Sequence, residues 1–205
     1  MNKIITITRE FGSGGRELGK RLAEKLGYKY YDKDIISRLL QKKGYDGQYI
    51  DCIDKISNDD FPYTISKSFS LYSAHQKQAT DLLVMEEKII RELASKSNCV
   101  FIGRSADLIL RDYNTLNIFT YADMPSKVNR CKEKASPEEK LSDKEIIKNI
   151  KAIDKSRKKH YLLLGSDSWG AKENYNLCLN TTGMEIKDLI PTVEEYAKAF
   201  FKEVK

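Results

Sequence analysis

The sequence predicts an α/β fold in which a parallel β-sheet is covered by helices on both faces. Short apolar, β-branched runs alternate along the chain with segments of helical periodicity, and the first such run leads into a glycine-rich loop and a helix. Strands that alternate with helices are typical of parallel sheets buried on both faces. Such sheets bind ligands at the carboxyl ends of their strands, so functional residues are expected there.

The N-terminal part of the chain predicts a strand, a loop, a helix and a second strand. Residues 3–8 (KIITIT) have the composition of a buried strand, and glycines between residues 11 and 15 end it. Leucines at helical spacing predict a helix over residues 16–27, and residues 28–31 predict a short strand. Residues 44–69 carry a weak pattern with two glycines and a proline, so we expect mobile helical pieces and loops.

The remainder of the chain continues the alternation of helices and strands. A capping box is predicted at Ser142 and Glu145, where a side chain and a backbone amide bond each other reciprocally at a helix start. The predicted elements are a helical stripe over residues 82–93, a strand at Cys99–Ile102, a strand over 117–122, an isoleucine-faced helix after Ser142, a strand over 177–179, and a closing helix over 193–204 that Pro191 precedes.

The composition is that of one globular domain spanning residues 1–205, with 40% hydrophobic and 32% charged residues. No apolar run approaches the roughly 20 residues that cross a bilayer, and the N-terminus lacks the apolar stretch of a secretion signal. We therefore expect a cytoplasmic protein with no membrane partner. The four cysteines stand far apart without a CxxC pair, which predicts neither a zinc site nor a disulfide framework.

The net charge of +6 is concentrated in one region. Residues 127–160 hold twelve Lys or Arg against six Asp or Glu, a surplus equal to that of the whole chain. Such a field attracts nucleic acid or polyphosphate, although a charge run is more often a solvated helix face. The sequence carries no RNA-recognition motif or basic zipper, and acidic residues interleave with the basic ones. Nucleic acid is therefore the less favoured partner.

The sharpest local feature is the glycine loop between the first predicted strand and helix. Gly12, Gly14 and Gly15 let backbone amides approach an anion at the positive end of the helix dipole. Ser13 adds a hydroxyl and Arg16 a forked cation. We favour a phosphate site here over an ordinary strand-to-helix turn. The Walker A pattern GxxxxGK[ST] is absent, so neither the usual lysine nor the metal-binding hydroxyl has an obvious occupant.

The segment TREFGSGGRELGKRLAEKLGYKYYDKDII resembles the opening of the cytidylate kinase-like family, a branch of the P-loop nucleoside monophosphate kinases. The resemblance continues through CVFIGRSAD, DKSRKKHY and NYNLCLNTT, and it is weakest over residues 44–80. It implies a three-layer P-loop kinase fold with an inserted helical acceptor-binding region at about residues 39–80 and a lid at about residues 154–172. It also implies phosphoryl transfer from ATP, with Mg²⁺, to a small nucleotide.

The resemblance places the triphosphate on the glycine loop and leaves two alignments open. The usual lysine falls either on Gly15, with Arg16 at the hydroxyl position, or on Arg16, with Glu17 at that position. We expect Arg16 to supply the catalytic cation. No metal ligand is assigned, and Ser13 is the candidate hydroxyl for a metal contact. The implied nucleotide-binding residues are Gly12, Ser13, Gly14, Gly15, Arg16 and Glu17.

The resemblance also implies an acceptor site. Asp32 matches the aspartate that follows the second strand in cytidylate kinases, and Arg38 matches an arginine that binds the acceptor phosphate. Gly103 and Arg104 match the Gly-Arg of the GRD motif, so Arg104 is expected at the monophosphate and is a second catalytic candidate. Ser105 replaces the aspartate of that motif, which helps to read the base in cytidylate kinases. This departure weakens the case for cytosine.

The basic region peaks in the implied lid. Arg157 is the third catalytic candidate, because a lid closes on the transferring phosphoryl group and spreads its charge over basic donors. For Lys158 and Lys159 we prefer the interpretation of a solvated helix face. His160 has no nearby cysteine or second histidine, so a metal role is not predicted. Trp169 is expected to be a packing residue rather than a nucleotide-stacking one.

These observations predict a kinase that transfers the γ-phosphoryl group of ATP to a nucleoside monophosphate such as CMP or dCMP. No general base is needed, because a phosphate oxygen is already a nucleophile and catalysis rests on alignment and charge neutralisation. One alternative is a nucleotide-binding module in which the altered loop has lost catalysis. The other is a basic nucleic-acid-binding protein that uses residues 127–159.

Overall fold

The computed structural model describes residues 1–45, 68–136 and 141–202, with the side chains of the second range described from residue 80 onward. Residues 46–67 lie outside the described residues, and they make up about half of the inserted region expected at 39–80 and most of the stretch 44–69 that was predicted to be mobile. Cys52 and the side chain of His75 also lie outside them.

The described strands form one parallel sheet in the order β2-β3-β1-β4-β5. Each predicted strand is present, and β4 begins two residues earlier than the pattern indicated. The strands are β1 (Ile4–Arg9), β2 (Lys29–Tyr31), β3 (Cys99–Ile102), β4 (Thr115–Tyr121) and β5 (Leu177–Asn180). Because β-branched and aromatic side chains fit a sheet buried on both faces, all six side chains of β1 except that of Arg9 are buried.

Helices follow each strand. They are α1 (Gly15–Leu26), α2 (Lys33–Lys42), α3 (Ser68–Lys96), α4 (Ala106–Ile109), α5 (Met124–Lys134), α6 (Asp143–Leu163) and α7 (Ile186–Phe200), with a short 3₁₀ turn at Lys172–Asn174 before β5. The capping box that was predicted at the start of α6 is confirmed, with Ser142 and Glu145 bonding each other's backbone amides. The described helices include none that is long and apolar enough to cross a membrane.

The start of the closing helix differs from the prediction. Helix α7 begins at Ile186, so Pro191 lies inside it rather than before it. A proline has no N–H to donate to the carbonyl four residues earlier, which here belongs to Lys187. Both Pro191 and Lys187 are exposed, so that carbonyl is on the solvent side of the helix. Proline is tolerated there because water can satisfy the carbonyl.

Three layers result from the alternation of side chains along β1. Ile5 and Ile7 are fully buried against α1 and α7 on one face of the sheet. Ile4 on the other face packs in a second core with residues of α2, α3 and α4. Successive strand side chains point to opposite faces, so the single apolar run of β1 serves both cores. The predicted three-layer α/β fold is confirmed.

The register of β1 with its neighbours positions the site. Strand β3 ends opposite Ile7, where Ile7 pairs with Ile102, whereas β1 and β4 stay paired as far as Arg9 and Thr120. The carboxyl end of β1 therefore projects beyond that of β3. The turn after β3 and the loop after β1 consequently face each other at the same edge of the sheet.

Candidate functional site

A cleft of about 1100 Å³ lies at the carboxyl edge of the sheet. Its walls are the end of β1 with the glycine loop, the start of α2, the turn after β3, and helices α5 and α6. Val128 of α5 packs with Ile146 and Ile150 of α6 in a small separate core, which holds these two helices together beside the loop. The cleft is where a doubly wound sheet binds ligands.

The glycine loop presents free amides to this cleft. Gly12 and Gly14 have φ values of 80° and 81°, a left-handed conformation that favours glycine, and Gly14 caps α1. Of the amides over residues 12–17, only that of Ser13 donates to an acceptor among the described residues, the carbonyl of Glu10 at 3.3 Å. The amides with no such acceptor are those of Gly12, Gly14, Gly15, Arg16 and Glu17.

Close packing also requires the glycines. A Cβ on Gly12 would lie 2.9 Å from Cβ of Lys127, and one on Gly14 would lie 2.3 Å from Cδ1 of Ile186. A Cβ on Gly15 would lie 2.4 Å from Oγ1 of Thr120. Packing alone would explain the glycines of an ordinary turn. The unpaired amides distinguish this loop from such a turn, because amides at a helix N-terminus form an anion-binding site.

Ser13 does not face the cleft. Its side chain is fully buried, and its hydroxyl donates to the carbonyl of Glu10 at 2.8 Å and lies 2.9 Å from Oγ1 of Thr120. The backbone carbonyl of Ser13 accepts from Thr181 at 2.8 Å. The hydroxyl thus ties the loop to β4, and this arrangement argues against Ser13 as a metal ligand.

The Arg16 side chain points to the start of α2. Its guanidinium contacts Asp32 at 2.7 Å and Asp34 at 2.6 Å. Asp32 caps α2 by accepting from the Ile35 amide at 3.1 Å, and it accepts from the Tyr30 hydroxyl. Burial alone would raise the pKa of Asp32, but the hydrogen bond from the Ile35 amide and the charge of Arg16 lower it more, so that this pKa lies below its ordinary value. Arg16 therefore brings its amide, rather than its guanidinium, to the loop.

Of two further predicted site residues, Glu17 lines the cleft and Arg38 does not. Glu17 borders the cleft, where its carboxylate contacts Arg21 at 3.0 Å and Lys134 at 2.9 Å. Arg38 is exposed and does not line the cleft, because α2 buries Ile36 and Leu40 and so turns the residue midway between them outward. The structure does not bring Arg38 together with the other predicted acceptor residues.

The turn after β3 is strained and anchored by buried charges. Gly103, Arg104 and Ser105 all have positive φ values, of 67°, 57° and 49°, and for the two residues with side chains this conformation is costly. The Arg104 Nε donates to the carboxylate of Glu86, whose side chain is 1% exposed. The Ser105 hydroxyl lies 2.8 Å from Nδ1 of His160. Both side chains border the cleft.

Two buried carboxyl groups, those of Glu86 and Asp107, lie near this turn and have different partners. Burial alone would raise the pKa of Glu86, but the charges of Arg104 and His160 lower it more, so that this pKa lies below its ordinary value. Burial raises the pKa of Asp107, which accepts from the Tyr161 hydroxyl at 2.6 Å and does not line the cleft. Asp107 therefore does not substitute for the aspartate that Ser105 replaces.

Helix α6 brings Arg157 onto the glycine loop. Its guanidinium donates to the carbonyl of Arg9 at 2.8 Å and lies over the ring of Phe11. Asp154, one turn earlier, accepts from the Phe11 amide at 2.7 Å, and burial raises the pKa of this carboxyl. The predicted lid thus starts within a continuous helix that contacts the loop. Trp169 packs edge-on against Phe119 and lines the cleft.

The sequence interpretation missed three side chains that line the candidate site or hold its residues in place. Glu86 was hidden in the apolar stripe of α3, although it lies one turn before Ile89 and Ile90 on the buried side. Arg130 on α5 donates to the carbonyls of Gly12, Thr181 and Met184 and so fastens the loop. Arg9 ends β1 and lines the cleft. An arginine at the carboxyl end of a buried parallel strand was the available signal.

The described residues do not form a magnesium site of their own. Magnesium is bound in phosphate sites through one or two carboxylates and the phosphates themselves. The four carboxylates that border the cleft already contact cations: Glu10 contacts Lys127, Glu17 contacts Arg21 and Lys134, and Asp32 and Asp34 contact Arg16. The loop amides, in contrast, suit the phosphates of a nucleotide.

A parallel sheet of this strand order, with unpaired loop amides and arginines at its carboxyl edge, defines a phosphate-binding α/β protein with a P-loop kinase fold. A sequence profile of the cytidylate kinase-like family matches residues 4–183. The chain belongs to that family, and the resemblance stated from the sequence is confirmed.

Individual relatives agree with this assignment. Cytidylate kinases from several strains of Saccharolobus islandicus are 24% identical over 196 residues, which cover 94% of this chain and 89% of the relative. An uncharacterized protein from Eubacterium ventriosum is 25% identical with a TM-score of 0.67, covering 97% of this chain and 99% of that one. Shikimate kinase from Acinetobacter baumannii, at 15% identity and a TM-score of 0.52 over 99% and 97%, shares the fold.

Family and fold together support nucleotide phosphotransfer as the general activity. They support neither of the two alternatives weighed from the sequence, a catalytically impaired module and a nucleic-acid-binding protein.

Proposed function

We propose that this protein transfers the γ-phosphoryl group of ATP to a nucleoside monophosphate, with CMP and dCMP as the first acceptors to test. Family membership supports nucleotide phosphotransfer, and one observation carries the proposal to this site. The five amides of the glycine loop without an acceptor among the described residues lie at the wall of the cleft. An array of this kind fits the oxygens of a polyphosphate.

The donor triphosphate would lie on the loop, with Arg157 beside it. Gly12, Gly14 and Gly15 contribute amides, as do Arg16 and Glu17. Arg157 already contacts the end of β1 through its bond to the Arg9 carbonyl, so its guanidinium is close to where the phosphates would bind. In this arrangement Arg16 binds phosphate through its backbone and holds Asp32 with its side chain.

The acceptor would lie on the other side of the cleft, between the start of α2 and the turn after β3. Arg104 is the cation for the acceptor phosphate, oriented by its buried bond to Glu86. Asp32 and Ser105 border the same space. Because the Ser105 hydroxyl is bonded to His160, this pair presents polar groups and no carboxylate where the family motif has an aspartate. Other pyrimidine monophosphates therefore belong in the assay.

The chemistry needs alignment and charge neutralisation more than proton transfer. The acceptor phosphate oxygen attacks the γ-phosphorus in line, and the bond to the β-phosphate oxygen breaks. Arg104 and Arg157 neutralise charge on the two sides of the transferring group, and the contact of α6 with the loop limits the access of water. Magnesium would bind together with the triphosphate rather than be held beforehand by protein carboxylates.

The direct test is a coupled assay of ADP formation with MgATP and a panel of monophosphates. We expect turnover with at least one pyrimidine monophosphate. Arg157→Met should lower kcat/KM by about 100-fold, because one lost cationic contact costs a few kcal/mol in the transition state. Lys158→Met is the matched control, since Lys158 is exposed on the same helix and does not line the cleft, and it should change kcat/KM less than about twofold.

Other outcomes would contradict the proposal. ATP binding by calorimetry without turnover of any monophosphate would support the impaired module. Affinity for DNA or RNA that falls steeply with salt and is unchanged by Gly14→Ala would support the nucleic-acid-binding protein.

A further inference from the structure

Arg9 lies in the cleft between the glycine loop and the turn after β3. It is the last residue of β1, and its side chain runs past the first residue of α1 to the turn after β3. A Cβ on Gly15 would lie 2.7 Å from Cβ and 3.1 Å from Cγ of Arg9. A Cβ on Gly103 would lie 1.7 Å from Nη1 of Arg9. The arginine therefore fits only because both positions lack a side chain.

The Arg9 guanidinium has no anionic partner among the described residues. No hydrogen bond or ion pair within this part of the chain involves its side chain, whereas the nearby Arg16 contacts two carboxylates. The cleft carboxylates are bound to other cations, as described above. Burial, reinforced by the charge of Arg157, lowers the pKa of Arg9 well below its ordinary value. A half-buried cation without a counter-charge is unfavourable unless a bound anion neutralises it.

We propose that Arg9 binds the phosphates of the donor nucleotide and supplies the positive charge that the loop lysine supplies in Walker A proteins. This inference rests on the proposed function, since it names a residue of the same site. Of the two alignments of the loop, it corresponds to the one that places the usual lysine on Gly15. The cation comes from the end of the strand instead of from the loop. A lysine could not return to position 15 without displacing Thr120 and Arg9.

The geometry also explains why Arg16 is not needed for this charge. Arg16 is on the outer side of α1, where its side chain is 64% exposed and bonded to Asp32 and Asp34. Arg9 lies between the loop and the turn that carries Arg104, and Arg157 is bonded to its carbonyl. Three arginines, Arg9, Arg104 and Arg157, thus line the cleft in which the γ-phosphoryl group would pass from donor to acceptor.

The test compares Arg9→Met, Arg9→Lys and Arg111→Met with the wild-type chain. Arg111 is exposed and lies outside the cleft, so it controls for the loss of one positive charge. Inorganic pyrophosphate and ATP are titrated by calorimetry, and kcat/KM is measured with the best monophosphate. Arg9→Met should weaken pyrophosphate binding and lower kcat/KM by about 100-fold, Arg9→Lys should restore part of both, and Arg111→Met should stay within about twofold of wild type.

A melting curve separates phosphate binding from a structural role. Because the unliganded cation lacks a counter-charge, Arg9→Met should melt at or above the wild-type temperature and lose the upward shift that pyrophosphate gives to wild type. A lower melting temperature without ligand, together with an unchanged pyrophosphate shift, would show that Arg9 is structural.

Failure of this inference differs from failure of the proposed function. If Arg9→Met turns over and binds pyrophosphate like wild type, Arg9 is excluded and the kinase proposal stands. If wild type binds neither pyrophosphate nor ATP, both fail. As a check that needs no variant in the binding experiment, the Arg9 Nε–H resonance of the wild-type protein should shift on addition of pyrophosphate; a resonance that stays in place at saturation would overturn the inference.

Discussion

At the scale of single residues, the strained turn after β3 depends on one buried ion pair. Arg104 adopts a left-handed conformation, and its side chain is 7% exposed while that of Glu86 is 1% exposed. Backbone strain of this kind persists only where surrounding contacts impose it. The bond that Arg104 donates to Glu86 is therefore part of what holds Arg104 at the cleft, so Glu86 would position Arg104 in the proposed acceptor site.

Replacing Glu86 by glutamine should be strongly destabilising. The change keeps the shape of the side chain and removes the carboxylate that faces Arg104, and breaking a buried pair costs about 3–5 kcal/mol. The neighbouring Glu87→Gln is the control, because Glu87 is 42% exposed and pairs with Arg91 on the surface. It should cost less than about 1 kcal/mol. Urea unfolding at pH 7 measures both, and equal effects would contradict the role given to Glu86.

The same pair has a defined pH dependence. The pKa of Glu86 is lower in the folded protein than its ordinary value of 4.5, so its stabilisation is complete above that pH. The stabilisation is lost as pH falls through the lowered value of the folded state. The stability gap between wild type and Glu86→Gln should therefore be constant at neutral pH and shrink in acid. A gap that grows below pH 4.5 would have the wrong sign.

Residue types and spacing predicted the glycine loop but not the directions in which the arginine side chains near it point. Glycines that follow a β-branched strand and precede a helix indicate a phosphate site, because the backbone alone does the binding. The choice between Arg9 and Arg16 depends on side-chain direction instead. Asp32 and Asp34 attract Arg16, and the absence of a side chain at Gly103 admits Arg9. Neither contact is visible in local sequence, since each joins separate elements.

At the scale of elements, helix α6 is fastened to the glycine loop by its acidic and basic side chains. Asp154 accepts from the Phe11 amide, and Arg157 donates to the Arg9 carbonyl. Both bonds join the middle of α6 to the residues at which β1 passes into the loop. The helix thereby orders the loop, and the loop in turn fixes the start of the expected lid at 154–172.

Removing the acidic contact should loosen the loop. Asp154→Ala leaves the Phe11 amide without its acceptor, and a lost buried hydrogen bond of about 1–2 kcal/mol corresponds to roughly tenfold faster local opening. Hydrogen exchange of a peptide covering residues 9–16 measures this. Asp143→Ala is the control on the same helix, because Asp143 is 63% exposed and contacts only Lys132 among the described residues. Equal exchange in both variants would contradict the fastening.

Strands were easier to predict than helices in this chain. The buried strands are runs rich in β-branched residues and bounded by polar residues. A continuous apolar run is enough to predict such a strand, because no alternation of polar and apolar residues is needed. Helices α2 and α5 were missed because each has only a narrow buried face: Ile36 and Leu40 in α2, and Val128 with the stem of Lys127 in α5. Both are capped by aspartates, Asp32 and Asp123, which was the unused signal.

At the scale of the whole molecule, Trp169 joins the expected lid at residues 154–172 to the sheet. It is the only tryptophan of the chain, it follows α6, and it packs 5.7 Å from Phe119 of β4 with the rings nearly perpendicular. It also lines the cleft. The expected lid and the sheet therefore share one spectroscopic reporter.

Nucleotide binding should change the emission of Trp169. Closure of a lid on a nucleotide moves its residues relative to the sheet, which alters the packing of the indole. ATP should produce a saturable change whose midpoint agrees with calorimetry, and adenosine should not. Trp169→Phe should abolish the signal while leaving ATP binding within a few-fold. A constant emission at ATP concentrations that saturate the protein would contradict coupling between Trp169 and the cleft.

The absence of side chains at Gly15 and Gly103 limits how this site can vary among homologous sequences. A residue larger than glycine at either position collides with Arg9, and a chain without Arg9 lacks the positive charge at the end of β1. Positions 9, 15 and 103 are therefore expected to be inherited as a set. A substitution at one should be accompanied by changes at the others, so the three columns should covary although they lie on β1, α1 and the turn after β3.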